Sequence, residues 1–418
     1  MRDIAITGMG IISSIGLSVD EFHAGVMAGA CGIKPAPWVS AIPGQQAWWG
    51  TIGGFVPRDW MDDKIEDGTD LFAQFTLAAT EQAVRRAGLD ALHPLRTGIV
   101  HGTSIGGARA LMKAQHQLDK QGPEAVPRKT EIQIYPNMAA SQIAMRYHLH
   151  GPSLTVTTAC ASSLDALGTA AWLIESGKAD MVIAGGTEGG ISLAGGGADG
   201  AFVPALFYTS TLYGMTAPSS DPRRAMLPFD VKRSGIVVGE GSAMLMLERG
   251  DLARKRGAEI FGYVRGYGTL ADAYHPSAPD PSGQWEARAM ELALQDAAIS
   301  AEDIDALIAH ATGTPKGDTA EIRAINRVHG NRREPLPVAG LKGHIGHSGA
   351  SSGAMSIITG LLGMRENRFL YTANTDEPDP EARFEVVIGR PKEMRYGRLQ
   401  VNAFGFGGQN ASLIVTRD

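Results

Sequence analysis

Cys160 is the residue around which a chemical reading of this 418-residue chain is built. It follows a β-branched run, Leu154-Thr155-Val156-Thr157-Thr158, and precedes a segment from Ser162 to Ser176 that is apolar on nearly every side and closes with Gly177. This pattern predicts strand, sharp turn and buried helix, with the sulfur in the turn. There the free N–H groups of the helix start and the helix macrodipole both favour a thiolate over a thiol. Ala159 and Ala161 leave room for a substrate carbon to approach. A lone cysteine at a tight turn is more often a small buried hydrophobe. The histidines farther along shift the balance toward chemistry.

His310 follows a strand-like Ala306-Leu307-Ile308-Ala309 and begins a polar loop with Thr312 and Thr314. That is the C-terminal edge of a sheet, where open α/β folds place ligands. Asp318 and Glu321 then open a helix with capping-box-like spacing, ending at Gly330. Lys342-Gly343-His344-Ile345-Gly346-His347 leads into a small-residue helix, so His347 stands near a helix N-terminus, where the dipole disfavours imidazolium. A neutral imidazole there can donate one hydrogen bond without holding a charge. Asn402 to Asn410, with Phe406 and Gly407, reads as a glycine-rich turn between two β-runs that can bring backbone N–H groups against a substrate oxygen.

The elements that must position these groups repeat. A helix over 71–88 precedes the strand Thr97-Gly98-Ile99-Val100 and then His101-Gly102-Thr103; a helix over 287–299 precedes the strand 306–309 and then His310-Ala311-Thr312. This suggests an internal duplication, with residues 1–255 and 256–418 as two α/β halves of one compact unit. The helix after His347 is then the counterpart of the helix after Cys160. Ile4 to Thr7 followed by Gly8-Met9-Gly10 is half of a dinucleotide fingerprint, but Ser13 stands where the third glycine belongs. Residues 189–220, which include Phe202, read as a loop too apolar to lie free in water, so they line a pocket or a subunit contact. A net charge of -6 gives no reason to expect nucleic acid or an anionic membrane, and no apolar run is long enough to span a bilayer. Cys31 and Cys160 are the only cysteines, and no signal peptide is evident, which fits a reducing cytoplasm.

In this order and spacing the set resembles the elongating β-ketoacyl-acyl-carrier-protein synthases, the type II ketosynthase branch of the thiolase-fold enzymes. The likeness rests on Thr158-Ala159-Cys160, Phe229-Asp230 with Gly239-Glu240-Gly241, Asp272-Ala273-Tyr274-His275, His310 to Pro315, Gly317-Asp318 with Glu321, Lys342 with Gly346-His347, and Gly405-Phe406-Gly407-Gly408. It implies an α/β thiolase-like fold of two duplicated halves in layered α-β-α-β-α order. It also implies that Cys160 holds an acyl chain as a thioester, to be condensed with malonyl-carrier protein as carbon dioxide leaves. His310 and His347 would hydrogen-bond the malonyl thioester oxygen, and the N–H groups of Cys160 and Phe406, in the turn with Gly407, would form the oxyanion hole. Lys342 would pair with Glu321 and order the histidines, with Asp318 in support. Thr312 and Thr314 would contact the pantetheine arm, Ile105 and Phe202 the acyl chain, and Phe406 would act as a gate.

No metal or other cofactor is implied beyond the phosphopantetheine of the acyl carrier protein. That protein is the implied partner, together with a second subunit, identical or chain-length-factor-like, met at the strand before Cys160. Docking of an acidic carrier would use basic residues, with Lys64, Arg109, Lys113, Arg128 and Lys129 as candidates by charge. Three features depart from the family pattern: the small, polar Ser348 to Gly353, Leu227 and Ile236 in place of an arginine and a phenylalanine, and the length of 189–220. They point to a specialised polyketide, polyene or related pathway, with housekeeping fatty-acid elongation as the alternative. A catalytically silent chain-length factor is the reading from a different class, and the presence of Cys160 and both histidines stands against it.

Overall fold

The strand β1 (Ile4–Ser13) is buried at every position, paired along the whole of one edge and at Ile4 to Ile6 on the other. The structure is a computed structural model that describes residues 3–36, 47–89, 91–190, 205–212, 215–217 and 219–418. Ten strands carry the architecture: β1, β2 (Thr97–Gly102), β3 (Ser153–Val156), β4 (Met181–Glu188), β5 (Gly241–Arg249), β6 (Gly262–Ala271), β7 (Ala306–Ala309), β8 (Pro337–Gly340), β9 (Arg398–Gly405) and β10 (Gln409–Thr416). Their spatial order is β8-β7-β9-β10-β6-β1-β5-β4-β2-β3, with the two-residue strand Glu385–Val386 outside β8. Each set of five therefore runs first, fifth, fourth, second, third. Within each set the first two pairings are antiparallel and the next two parallel. The sets join where β1 meets β6, antiparallel, at Ile4 to Ile6.

Five helices fill the layers: α1 (Leu71–Arg86), α2 (Ser162–Glu175), α3 (Gln284–Ala297), α4 (Pro315–His329) and α5 (Ser352–Glu366). α2 and α5 are buried along nearly their whole length, which is why their sequences carry small and apolar residues on every side. They cross where a Cβ on Gly353 would stand 2.5 Å from Leu164 Cγ, and Ser163 Oγ accepts the Ala354 N–H at 3.0 Å. The small residues after His347 thus serve close helix packing. α1 covers the first set of strands and α3 and α4 the second, giving a thiolase-like, layered α/β fold. Gly8 and Gly10 are glycines because α1 lies directly on them: a Cβ would meet Ala83 O at 2.1 Å and Ala79 O at 1.9 Å. The half-fingerprint at the N-terminus is a packing feature.

Two expectations are corrected. The span 189–220 is not all loop, because Ala205–Leu212 is helical and Phe207 packs with Trp49, Ala36 and Ala47 in a small core of its own. Phe202 lies outside the described residues. α4 starts before Asp318: Pro315 occupies its first turn, where a missing N–H costs nothing, and the Thr314 hydroxyl caps it by accepting the Gly317 N–H at 3.1 Å. Asp318 and Glu321 are therefore free to cap something other than their own helix.

Candidate active site

Four chain segments converge at the C-terminal ends of parallel strands. Cys160 sits in a 3₁₀ turn between β3 and α2, His310 follows β7, His347 follows β8 and the turn Lys342–Ile345, and Phe406 tips the β9–β10 hairpin. The Cys160 sulfur and a ring nitrogen of each histidine all lie within 4.8 Å of one another. The two imidazoles meet edge to face, centroids 5.3 Å apart. They line a cavity of about 640 Å³ whose wall also includes Ile105, Thr312, Thr314, Phe406 and Gly407.

The cysteine turn is held in a strained shape. Ala159 has φ +49°, a left-handed conformation that favours glycine. Ser162 Oγ accepts the Thr158 N–H at 3.0 Å and donates to Ala159 O at 2.6 Å, fixing the elbow from both sides. The glycine at 405 lets the hairpin approach, since a Cβ there would stand 2.7 Å from Thr158 O and 3.2 Å from Cys160 N. The N–H groups of Phe406 and Cys160 lie near enough to the sulfur to favour its charged form. Burial nevertheless pushes the Cys160 thiol up to about 11, against the pull of the Lys342 charge and those two donors. Burial therefore opposes the thiolate that the helix start favours.

Each histidine has its ring fixed from the Nδ1 side. Lys342 Nζ lies 3.3 Å from His310 Nδ1 and also donates to His310 O. Gly349 N–H donates to His347 Nδ1 at 3.2 Å, with Ser352 Oγ at 3.3 Å. An accepting Nδ1 leaves the proton on Nε2. Burial and the Lys342 charge hold both rings far below the usual imidazole range, so both stay neutral.

The acids do not meet Lys342 as a direct pair. Glu321 accepts the N–H groups of His310 at 2.8 Å and Ala311 at 2.6 Å, while Lys342 takes the His310 carbonyl. The two are joined through the His310 backbone, because the carboxylate reaches the strand end before it reaches the ammonium. Burial raises Glu321 and lowers Lys342, and each charge offsets part of the other's shift. Asp318 accepts from Phe229 N at 2.7 Å, Gly313 N at 2.9 Å and Thr312 Oγ1 at 3.1 Å, so it orders the loop carrying Thr312 and Thr314.

Some site residues escape a sequence reading. Glu188, at the end of β4, accepts N–H bonds from Ser104 at 3.0 Å and from Ile105 and Ala350 at 3.4 Å, fixing the wall beside Cys160. An acid closing an otherwise apolar strand, Gly185-Gly186-Thr187-Glu188, was the available signal. Ile236 lines the cavity, whereas Leu227 is buried beneath Gly313. Arg109 leaves the set of free basic residues: it pairs at 2.8 Å with Asp70, whose side chain is fully buried.

Comparison with known proteins agrees with this geometry. Residues 1–253 match the family model of the β-ketoacyl synthase N-terminal domain and 261–376 that of the C-terminal domain. The 3-oxoacyl-[acyl-carrier-protein] synthase 2 of Rhizobium meliloti is 34% identical over 435 residues, covering 100% of this chain and 99% of that one. The ishigamide ketosynthase/chain length factor superposes with a TM-score of 0.90 at 32% identity, covering 100% and 99%. The AntDE ketosynthase in complex with its type II polyketide synthase acyl-carrier protein gives 0.89 at 25% identity, covering 100% and 99%. No helix among the described residues is long and apolar enough to cross a membrane. The chain belongs to the β-ketoacyl synthase family and is an acyltransferase of the 3-oxoacyl-acyl-carrier-protein synthase type.

Proposed function

We propose that this ketosynthase carries out decarboxylative condensation on Cys160 in a specialised polyketide, polyene or related pathway. The carrying observation is the facing of one thiol by two neutral imidazoles whose Nδ1 atoms are already occupied. In the first half-reaction Sγ attacks the carbonyl of an acyl-carrier thioester, whose oxygen takes the N–H groups of Cys160 and Phe406. The pantetheine thiolate leaves, and the thiol proton ends on it. In the second, malonyl-carrier protein loses carbon dioxide and the electron pair moves to an enolate oxygen held by the two Nε2–H groups. The enolate carbon attacks the Cys160 thioester, the C–S bond breaks, and Sγ takes one proton from solvent. Thr312 and Thr314 guide the pantetheine, Ile105 contacts the acyl chain, and Phe406 with Gly407 forms a hinged gate. This chemistry draws on no cofactor beyond the carrier's phosphopantetheine.

The pathway assignment is supported by Ile236 in the cavity wall and by the likeness to the ishigamide enzyme. Housekeeping elongation is the second reading, favoured by the Rhizobium meliloti relative. An acyl carrier protein and a second subunit are the proposed partners. β3 pairs only with β2 among the described residues, and it presents Leu154 to solvent at the sheet's edge. Such an edge is a ready surface for a second chain.

Intact-mass analysis after incubation with saturated and polyunsaturated acyl-carrier proteins, beside Cys160→Ala, tests both levels. Preferred loading of an unsaturated or otherwise unusual chain supports the specialised pathway. Preference for saturated chains assigns ordinary elongation, and no adduct on Cys160 under any condition sinks the mechanism.

A further inference from the structure

Asp165, in the first turn of α2, is 5% exposed, and its carboxylate is bound by hydroxyls from both halves of the molecule. Thr158 Oγ1, in the Cys160 turn, donates to Oδ2 at 2.5 Å, and Tyr267 Oη donates to Oδ1 at 2.5 Å. The Thr269 side chain, two residues along from Tyr267, also favours the charged carboxylate. Among the described residues no cation pairs with this acid. A buried carboxylate is costly, and an apolar residue of similar size would cost less, so the geometry it fixes is what needs explaining.

That geometry joins the two sides of the oxyanion hole. Thr158 is two residues from the Cys160 N–H. Tyr267 and Thr269 lie on β6, which pairs with β10 as far as Ala271 with Gln409, and Asp272 N–H donates to Gly408 O at 2.9 Å. β6 therefore carries the hairpin that holds the Phe406 N–H. Tyr267 is itself immobilised: its ring lies on Gly168, where a Cβ would come within 2.3 Å, and Trp172 packs on it at 5.1 Å between centroids.

We propose that Asp165 is a positioning residue for acyl transfer, its carboxylate setting the spacing of the Cys160 and Phe406 N–H groups by tying the cysteine turn to β6. The inference rests on the reaction proposed above. Two N–H groups contributed by different halves must be held to within about 0.5 Å of their working positions, and Asp165 bridges them one helical turn from the sulfur.

The test compares two reactions of the same sulfur in Asp165→Ala, Asp165→Asn and Tyr267→Phe. Loading from an acyl-carrier protein that acylates the wild type passes through an oxyanion. Alkylation by iodoacetamide does not. In Asp165→Ala, loading is expected to fall by about 10- to 100-fold, short of the roughly 10²- to 10³-fold loss of a whole oxyanion donor, and by clearly more than alkylation, which feels those N–H groups only through the thiolate fraction. Asp165→Asn, which keeps the side chain's shape but only one acceptor oxygen for two hydroxyl donors, is expected to lie between the wild type and the alanine variant. Should the alanine variant fail to fold, Tyr267→Phe removes one donor, keeps the ring on Gly168 and carries the same comparison. A parallel fall of both rates, or unchanged loading, overturns the proposal. Failure of the wild type to load any acyl group would instead remove the reaction on which it rests.

Discussion

Gly405→Ala perturbs the site at its tightest approach. The new Cβ would stand 2.7 Å from Thr158 O, 3.2 Å from Cys160 N and 3.3 Å from Ala159 Cβ, where ordinary contact begins at 3.4 Å. Clearing the carbonyl alone requires a shift of about 0.7 Å between hairpin and cysteine turn, since contacts inside the van der Waals minimum rise steeply. A hydrogen bond of about 2.9 Å stretched by that amount reaches about 3.6 Å and is no longer one. One oxyanion donor is then lost, worth about 3 to 4 kcal/mol, or roughly 10²- to 10³-fold in acyl transfer. The backbone at 405 is extended and lies outside the left-handed region, so the fold itself should survive. Single-turnover loading of Cys160 followed by intact mass gives the rate, and thermal unfolding checks the fold. Loading within threefold of wild type by a folded Gly405→Ala protein would refute the reasoning that Cys160 N–H and Phe406 N–H act together across this contact.

Two further outcomes follow from burial. With its thiol pushed up to about 11, Cys160 should react with iodoacetamide about tenfold faster per pH unit from neutral well into the alkaline range. Lys342→Ala, which removes the charge favouring the thiolate, should slow the reaction at a given pH; a wild-type rate plateau near neutrality would contradict the first expectation and an unchanged rate in the lysine variant the second. His101 is held at about 3 and His329 at about 4 by burial, below the 6.5 of an exposed ring. Their folded-state values are depressed, so the stability they contribute is complete above pH 6.5 and is lost as pH falls toward 4. At pH 5 each should have forfeited about 2 kcal/mol, from about 1.4 kcal/mol per unit over 1.5 units. Tm measured at pH 7.5 and pH 5 checks this, and equal values would rule it out.

Cys160, His310, His347 and the 402–410 hairpin were legible because each sits where a hydrophobic period breaks: strand into helix, strand into loop, strand into strand. The duplicated order of elements was legible for the same reason. What local pattern could not carry was competition between distant groups. Whether a helix start or burial decides the state of Cys160 depends on how much water α5 and the hairpin exclude. Asp318 and Glu321 look like caps of their own helix until Thr314 and Pro315 are seen to have taken that place. Glu188 and Asp165 act through N–H and hydroxyl groups far away in sequence, and Gly8-x-Gly10 has the same appearance under a helix as under a phosphate. Helix Ala205–Leu212 carries an apolar residue on every face and so has no periodic stripe to announce it.

Ala159, beside the nucleophile, and Ala311, beside His310, both adopt left-handed backbone, φ +49° and +45°. An alanine held there costs roughly 1 kcal/mol or more relative to its preferred conformation, which glycine would recover. Glycine would also release the neighbouring Cys160 or His310 from a fixed direction. Stability and turnover therefore weigh differently at these two positions: glycine would relieve the backbone while the two reacting groups lose their aim.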